Sequence, residues 1–523
     1  MEIRDVNIIK RKEMFNFGGV NFINDLNGHN ILKGESLRKN NVQNMLLQKR
    51  FKIISEIQNE DNDEKILINS NLIKILEINE IISLFNNQKV NENKLFLFQS
   101  IYSLNKLSSS NLNYVNDIII NNKIHEEIFK ILNKYSNNEI DYLDRLTIKH
   151  SLSLLNNLFY LNNNPLFQFI LKNKYFGILI KFLYFDDIDI SYQTIDLFIL
   201  LILENEEFKN ELNSLGIFEK IVKMAKKDNI REIYLYDCLN YINQVILYEI
   251  KKNPSKIENI SSCINVLISL IKNQKDDNLK KILISLLHIS CYFNDIEIKF
   301  AQNGFYENIT ELIKVNKNIK IIILSLQIII NLTNENSFNC LNFISSELFN
   351  IIISFFFQEN LYPKIELITT VCHLILNLSK FESFYDWLIN NINVYEKMIY
   401  FLDSISEKTS LTILSCFYSF INNSLSFSTT YIFYNKIFYS KLLNLLTKIN
   451  DIYLLKSIIC ILIKLFEIIA QSENINYINS YINLNYLDDI LNKLSSPDNK
   501  FSKDRQNIII FTTLKTIIKK YIY

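Results

Sequence analysis

The chain is built from apolar segments in which hydrophobic residues recur at three- and four-residue spacing. One example is KILINSNLIKILEINEIISLF at residues 65–85, and such spacing is typical of helices that pack against neighbours. A polar position interrupts most segments near the end, in sequences such as SLSLLNNL, LQIIINLT and CHLILNLS. Equivalent positions follow one another at intervals of 43, 43, 45, 43, 46 and 45 residues. These positions are Asn157, Leu200, Asn243, His288, Asn331, Asn377 and Asn422.

A fixed period in the forties without a strand pattern predicts armadillo or HEAT helical repeats. Each unit has a short helix, a longer apolar helix such as GIFEKIVKMA or FYENITELI, a polar loop, and a third helix with the polar position. Three helices favour the armadillo unit over the two-helix HEAT unit. Gly216 and Gly304 stand just before the second helix, where a sharp bend suits a residue without a side chain. The sequence therefore predicts an all-α, right-handed superhelical armadillo-repeat solenoid over residues 65–523, with about ten repeats and a capping last one.

The N-terminal region differs in composition from the predicted repeats. Residues 1–54 hold ten Lys or Arg against five Asp or Glu and four of the seven glycines, and are predicted to be a largely unstructured basic arm. Residues 55–64, which include EIQNEDNDE, are predicted to be an acidic linker. The whole chain has a formal net charge of +1, so the remainder after the arm is mildly acidic. This asymmetry predicts attraction between arm and body, or to an acidic partner. It does not suggest nucleic-acid binding, because the body lacks the excess positive charge that phosphates require.

No motif for catalysis is found. The sequence lacks GxxxxGK[ST], GxSxG and GxGxxG, and its five histidines show no HxxxH spacing. Its seven cysteines are scattered without a CxxC pair, which indicates free thiols in a reducing compartment. We therefore expect no enzyme activity, no metal and no cofactor.

Residues 409–435 carry no charge, which raises the question of a membrane span. Ser, Thr and Asn recur in this stretch and a turn-like NNS lies in its middle, so two packed repeat helices are favoured over membrane insertion.

Two parts of the chain resemble the importin-α (karyopherin-α) family of nuclear import adaptors. Residues 37–50 contain LRKN, five residues, LL and then a basic pair, and this order resembles the importin-β-binding arm of that family. The earlier IKRKEMFNFGG resembles the same arm. The stretch between them, NDLNGHNILKG, lacks the arm's dense arginine cluster. The resemblance continues across residues 65–523 and is clearest in YSKLLNLLTKINDIYLLKSIICILIKLFEIIAQSEN and SYINLNYLDDILNKLSS.

The resemblance implies that the third helices line a peptide-binding groove. In importin-α a Trp and an Asn four residues later lie one turn apart on each third helix, where the amide pairs with the peptide backbone and the indoles flank lysine stems. The matching pairs here are Ser153/Asn157, Asp196/Leu200, Leu239/Asn243, Ile284/His288, Gln327/Asn331, His373/Asn377 and Tyr418/Asn422. The asparagine is present in five pairs and the tryptophan in none.

Carried over residue by residue, the resemblance implies that the groove residues contacting an import signal are Asn157, Glu204, Asn243, Asn331, His373, Asn377, Tyr418 and Asn422. For a single asparagine, a helix cap or solvated surface is the simpler interpretation in so Asn-rich a chain. Leu239 and Ile284 fit core positions, and Trp387, the single tryptophan, fits ordinary packing.

The implied function is that of a nuclear import adaptor. Cargo proteins with basic localisation signals would bind in the groove, and importin-β would bind the arm through Arg38, Lys39, Lys49 and Arg50. The protein would shuttle between cytoplasm and nucleus, with the C-terminal repeats available to an export receptor. The alternative is a cytoplasmic armadillo scaffold that no longer binds import signals, and the missing tryptophans favour it.

Overall fold

The computed structural model describes residues 76–519, with gaps. The gaps are 87–92, 111, 137–139, 160–163, 205–207, 209–210, 213, 228–229, 253–257, 273, 293–295, 334–341, 359–364, 404–405, 425–430, 433–434, 449–450, 472–483, 497–510 and 517. The basic arm predicted at 1–54 and the acidic linker predicted at 55–64 lie outside the described residues. Throughout the described part every regular element is a helix.

The chain divides into two compact units, and the division falls after His288. The N-terminal unit contains α1 (Ile78–Asn86), α2 (Lys94–Ser110), α3 (Leu112–Asn121), α4 (Ile124–Tyr135), α5 (Tyr142–Phe159), α6 (Asn164–Asn173), α7 (Phe176–Leu183), α8 (Ile188–Glu204), α9 (Ile217–Ala225), α10 (Glu232–Lys252) and α11 (Glu258–Ser269). The division itself lies within α12 (Asp276–Tyr292).

The C-terminal unit continues the same order of short and long helices. It contains α13 (Glu297–Gln302), α14 (Phe305–Val315), α15 (Ile319–Leu332), α16 (Glu347–Ser354) with a 3-10 turn (Phe355–Phe357), α17 (Ile365–Leu378), α18 (Glu382–Asn390), α19 (Ile392–Phe401), α20 (Glu407–Asn423), α21 (Lys436–Lys448), α22 (Ile452–Gln471) and α23 (Leu484–Leu494). The triplets α3–α4–α5, α6–α7–α8, α13–α14–α15 and α18–α19–α20 match the predicted three-helix unit.

Packing between successive third helices runs through each unit. In the N-terminal unit α2 packs on α5, α5 on α8, and α8 on α10; in the C-terminal unit α15 packs on α17, α17 on α20, and α20 on α22. Their apolar sides form the core, where Phe198, Leu239, Tyr241, Phe417 and Ile458 are fully buried. Burying one such side chain stabilises the fold by about 1.5–3 kcal/mol. The prediction of an all-α helical solenoid is confirmed.

The second helix of a unit begins after a residue in the left-handed region. Gly216 has φ 68° before α9, and Gly304 has φ 70° before α14, as predicted. Lys123 before α4 and Lys174 before α7 adopt the same conformation, with φ 55° and 53°. The bend is therefore also present where a lysine replaces glycine. There the side chain makes the left-handed conformation sterically less favourable.

The uncharged stretch that begins at residue 409 lies mostly within α20, which packs between α17 and α22. No helix in the described part of the chain is long and apolar enough to cross a membrane.

Candidate binding surface on the third helices

The seven equivalent positions, six of them polar, all lie in the second half of a third helix. They occupy α5, α8, α10, α12, α15, α17 and α20 in chain order, and are called the ladder below. The residue four positions earlier lies one turn away on the same helix, as the sequence predicted.

Asn157 joins two neighbouring third helices of the N-terminal unit. Its side-chain nitrogen donates to Oδ1 of Asn105 at 3.1 Å and to Oγ of Ser108 at 2.8 Å, both on α2. The hydroxyl of Ser153, one turn earlier, donates to the same Asn105 oxygen at 3.3 Å. Because Asn157 is half-buried against α2, the hydrogen bonds of its amide nitrogen stabilise the stacking of α5 on α2.

Asn331 and Asn377 play the same part in the C-terminal unit. The side-chain nitrogen of Asn331 donates to Oγ of Ser290 and to Sγ of Cys291, both at 3.0 Å. The side-chain nitrogen of Asn377 donates to the backbone oxygen of Ile330 at 2.9 Å. Both residues are half-buried, and both bond to the preceding third helix.

The middle of the N-terminal ladder combines apolar and polar members. Leu200 and Leu239 are buried, which confirms a core role for Leu239. Asp196 and Asn243 are half-buried on the adjacent helices α8 and α10. The Oδ1 atom of Asn243 is buried without a hydrogen-bond partner among the described residues. Glu204 is the last residue of α8, and its side chain lies outside the description.

Helices α8 and α10 are acidic. Together they carry six carboxylates against two lysines: Asp189, Asp196, Glu204, Glu232, Asp237 and Glu249 against Lys251 and Lys252. Lys149 of α5 pairs with Asp189 at 3.0 Å, and Lys275 pairs with Glu232 at 2.6 Å. These two pairs lie at the starts of the helices, and Asp237 is buried.

His373 is half-buried and is held as a neutral imidazole. Burial, with a smaller contribution from the nearby charge of Lys408, lowers its pKa to about 4. Its Nε2 atom lies 3.5 Å from Oγ1 of Thr412. At neutral pH this ring can accept or donate a hydrogen bond, but it brings no charge to the ladder.

Tyr418 and Asn422 form an exposed ladder pair on α20. The Tyr418 side chain is 40% exposed, and Asn422, one turn later, is exposed as well. Ile284, His288 and Gln327 are half-buried members of other pairs. The ladder thus has internally bonded asparagines at Asn157, Asn331 and Asn377 and an outward-facing pair on α20.

Trp387 lies on α18, which is the first helix of the unit α18–α19–α20, and it is not one of the ladder positions. Its ring centroid is 4.8 Å from that of Phe349 and 5.7 Å from that of Phe384. This confirms the prediction of ordinary packing.

The predicted arm residues Arg38, Lys39, Lys49 and Arg50 lie outside the described residues. Within the described part, no group of three or more His, Cys, Asp or Glu side chains is placed to hold a metal ion.

Sequence reasoning missed Tyr453, Lys456 and Lys464 on α22. They share one side of the helix with Cys460 and Glu467, because all are spaced by three or four residues. Continuing the ladder period from Asn422 by one further unit leads to Glu467, and this extrapolation could have identified the side of α22 on which they lie.

The comparisons with known proteins bear on the fold. Residues 257–487, less than half of the chain, match a family described as an 8TM microsporidial transmembrane domain. A comparison with curated proteins finds no match.

Solved structures that resemble the chain include designed proteins. The crystal structure of an engineered protein is similar with a TM-score of 0.60 at 12% identity, covering 84% of this chain and 98% of that one. A designed armadillo repeat protein in complex with the peptide (KR)4 has a TM-score of 0.38 at 15% identity, covering 49% of this chain and 100% of that one. A computationally designed armadillo repeat protein for modular peptide recognition has a TM-score of 0.39 at 14% identity, covering 48% and 98%. The engineered protein shares its fold with this chain, and the order and period of the helices make that fold an armadillo-like helical solenoid.

Proposed function

We propose that this chain is a non-catalytic binding protein that holds an extended basic segment of a partner protein along α8 and α10. The observation that carries this proposal is that half-buried Asp196 and Asn243 lie on third helices that pack against each other and are rich in carboxylates. Carboxylates attract lysine and arginine side chains, and the asparagine amide can pair with a peptide backbone whatever the side chains are.

Asn243 suits the role of a backbone clamp. Its buried Oδ1 atom has no described donor, and a buried acceptor without a donor is costly. A change of the Asn243 side-chain rotamer on binding would bring this acceptor to a backbone N–H of the bound segment, which would supply that donor. Leu200 and Leu239, which lie one turn from Asp196 and Asn243 respectively, are buried and take no part.

The resemblance to importin-α gives this proposal its finer form. The basic segment is then a nuclear localisation signal, and the partner that engages Arg38, Lys39, Lys49 and Arg50 is importin-β. The protein would shuttle between cytoplasm and nucleus. This form is supported by the order of the arm and repeat sequences along the chain.

The test is a titration of fluorescein-labelled (Lys-Arg)4 into the full chain, followed by anisotropy at several salt concentrations. We expect saturable binding that weakens as salt screens the charges. The double variant Asp196→Asn/Asn243→Ala should lose affinity at least tenfold. Asp277→Asn is the matched control, because it removes an exposed carboxylate from the first turn of α12, away from the ladder. It should change affinity less than twofold.

A second candidate is a structural scaffold that binds partners without recognising import signals. The observation favouring it is that the side-chain N–H groups of Asn157, Asn331 and Asn377 donate hydrogen bonds to the preceding third helix. Absence of saturable (Lys-Arg)4 binding would leave this candidate alone. Deleting residues 1–54 separates the two further, because import of a basic cargo needs the arm whereas a scaffold keeps its partners without it.

A further inference from the structure

The second helix α9 and the two residues after it carry a row of lysines on the N-terminal unit. The opposite side of the helix is apolar, and Phe218, Ile221 and Val222 on that side are buried. Three of the lysines are exposed and the first, Lys220, is half-buried. The row is called the α9 surface below and consists of Lys220, Lys223, Lys226 and Lys227.

The α9 surface is positively charged. Within the described residues, no carboxylate pairs with any of its four lysines. The Nζ atom of Lys220 instead lies 4.4 Å from the ring centroid of Tyr184, which leaves its charge in place. From Lys220 to Arg231 the sequence holds five basic residues against one acidic residue, Asp228.

The described carboxylates around α9 are mostly engaged elsewhere. Oε2 of Glu219 is buried. Oδ1 of Asp187 accepts hydrogen bonds from two backbone N–H groups at the start of α8, and Glu232 pairs with Lys275 at 2.6 Å. Asp186 is the exposed carboxylate next to this region. A single exposed carboxylate leaves most of the lysine charge unbalanced.

The length of the row limits what it can bind. At a rise of 1.5 Å per residue, the stretch from Lys220 to Lys227 extends about 10 Å along the helix axis. A nucleic-acid strand or a membrane surface would continue beyond this row over a body that is mildly acidic outside residues 1–54, and would be repelled there. A short acidic segment of polypeptide matches the row without that repulsion.

The chain contains such a segment. Residues 55–64, the predicted acidic linker, hold five carboxylates and no basic residue, and they lie outside the described residues. The five are Glu56, Glu60, Asp61, Asp63 and Glu64. Because the segment belongs to the same chain, its effective concentration at α9 exceeds that of a free acidic peptide.

The linker is close enough along the chain to lie on α9. Eleven residues join Glu64 to Leu76, the first described residue, and they span about 40 Å when extended. From there α1 packs on α4, and the ring of Phe129 on α4 stacks on that of Tyr175, just before α7, at 4.8 Å between centroids. Tyr184, just after α7, contacts Lys220. Three steps between neighbouring helices, each about 8–10 Å, place α9 about 30 Å from α1.

We propose that the acidic linker at residues 55–64 binds to the α9 surface of the same chain. A single exposed ion pair contributes little, whereas several lysines facing several carboxylates add their attractions. The contact holds the start of the repeats and the end of the basic arm beside the N-terminal unit. It uses a second helix, and it does not depend on the basic-segment site proposed on the third helices α8 and α10.

The experiment is zero-length cross-linking of the full chain with a water-soluble carbodiimide, which joins a carboxylate to a lysine amine in contact with it, followed by mass spectrometry of the peptides. We expect the linker carboxylates to be joined to the α9 lysines at least about fivefold more often than to three exposed lysines of the C-terminal unit. High salt should remove this preference. The three reference lysines are Lys317, Lys320 and Lys448.

A charge exchange separates attraction from mere proximity. Replacing all five linker carboxylates by lysine should abolish the linkages to α9, and adding Lys223→Glu/Lys226→Glu/Lys227→Glu should restore them with the reactive groups exchanged. The matched control combines the same linker change with reversal of three exposed lysines elsewhere, and it should restore no linkage to α9. Far-UV circular dichroism verifies that each variant is folded. The control reversal is Lys317→Glu/Lys320→Glu/Lys448→Glu.

Three results would overturn the inference. They are linkages of the linker to lysines of residues 1–54 alone, equal linkage to the α9 and reference lysines, and failure of the charge exchange to restore linkage in a folded variant. A mixture of 14N-labelled and 15N-labelled chains adds one more check. Linkages that join the two labels as often as one would show contact between copies, against the proposed contact within one chain.

Discussion

Asn377 and Asn422 allow the two roles of ladder asparagines to be separated by one substitution. Each is the residue before last of its third helix, α17 or α20. Asn377 is half-buried and donates to the backbone oxygen of Ile330 at 2.9 Å, whereas Asn422 is exposed. We predict that Asn377→Ala weakens the stacking of repeats and that Asn422→Ala leaves it intact.

The magnitude follows from three contributions. Losing the net contribution of one hydrogen bond costs about 1 kcal/mol. Losing part of the packing of a half-buried side chain adds about 0.5 kcal/mol. Replacing Asn by Ala in a helix returns about 0.5 kcal/mol, and because both sites share this gain, it cancels in the difference. Asn377→Ala should therefore be less stable than Asn422→Ala by about 1–1.5 kcal/mol.

The assay is urea unfolding followed by the fluorescence of Trp387, the single tryptophan, which lies in the same unit as both asparagines. Asn331→Ala provides a repeat of the measurement, because its amide also bonds to the preceding helix. Equal stabilities of Asn377→Ala and Asn422→Ala, or the reverse order, would refute the stacking role of the internally bonded asparagines.

Two further predictions concern backbone strain and pH. Gly216→Ala should destabilise the N-terminal unit by about 1 kcal/mol because φ is 68°. Gly177→Ala, which lies within α7 and has open space around its Cβ position, should instead stabilise the unit by about 0.5 kcal/mol. Hydrogen exchange of α9 and α7 measures both changes, and stability changes of the same sign would contradict the argument. For His373, the unfolded imidazole takes up a proton below pH about 6.5, while burial keeps the folded one neutral down to about 4. The free energy of unfolding of the C-terminal unit should therefore fall by about 1–2 kcal/mol between pH 7 and pH 5. If the His373→Gln variant loses as much stability over the same pH range, His373 is excluded as the cause.

The arrangement of helices followed from the sequence because it rests on periodicity. The interval between polar positions fixes the repeat, and the three-residue and four-residue spacing of apolar residues fixes the helices. Gly216 and Gly304 marked the start of second helices for a local reason, the need for positive φ. Lys123 and Lys174 take the same conformation without any such signal in the sequence.

The partners of the ladder side chains could not be predicted in the same way. Asn157 bonds to Asn105, 52 residues earlier, and Asn377 to the carbonyl oxygen of Ile330, 47 residues earlier. Such pairs depend on how far one third helix slides along the next, which a repeat period of varying length leaves open. For the same reason, the effect of the Lys408 charge on His373 could not be predicted from the sequence.

The central claim is that the third helices α8 and α10 hold a basic segment, and hydrogen–deuterium exchange of the full chain with and without saturating (Lys-Arg)4 tests it most directly. We predict added protection in α8 and α10, lost in Asp196→Asn/Asn243→Ala, with no change in the second helices α7 and α9. Protection confined to α7 and α9, or no protection at concentrations where the peptide is bound, would contradict the claim.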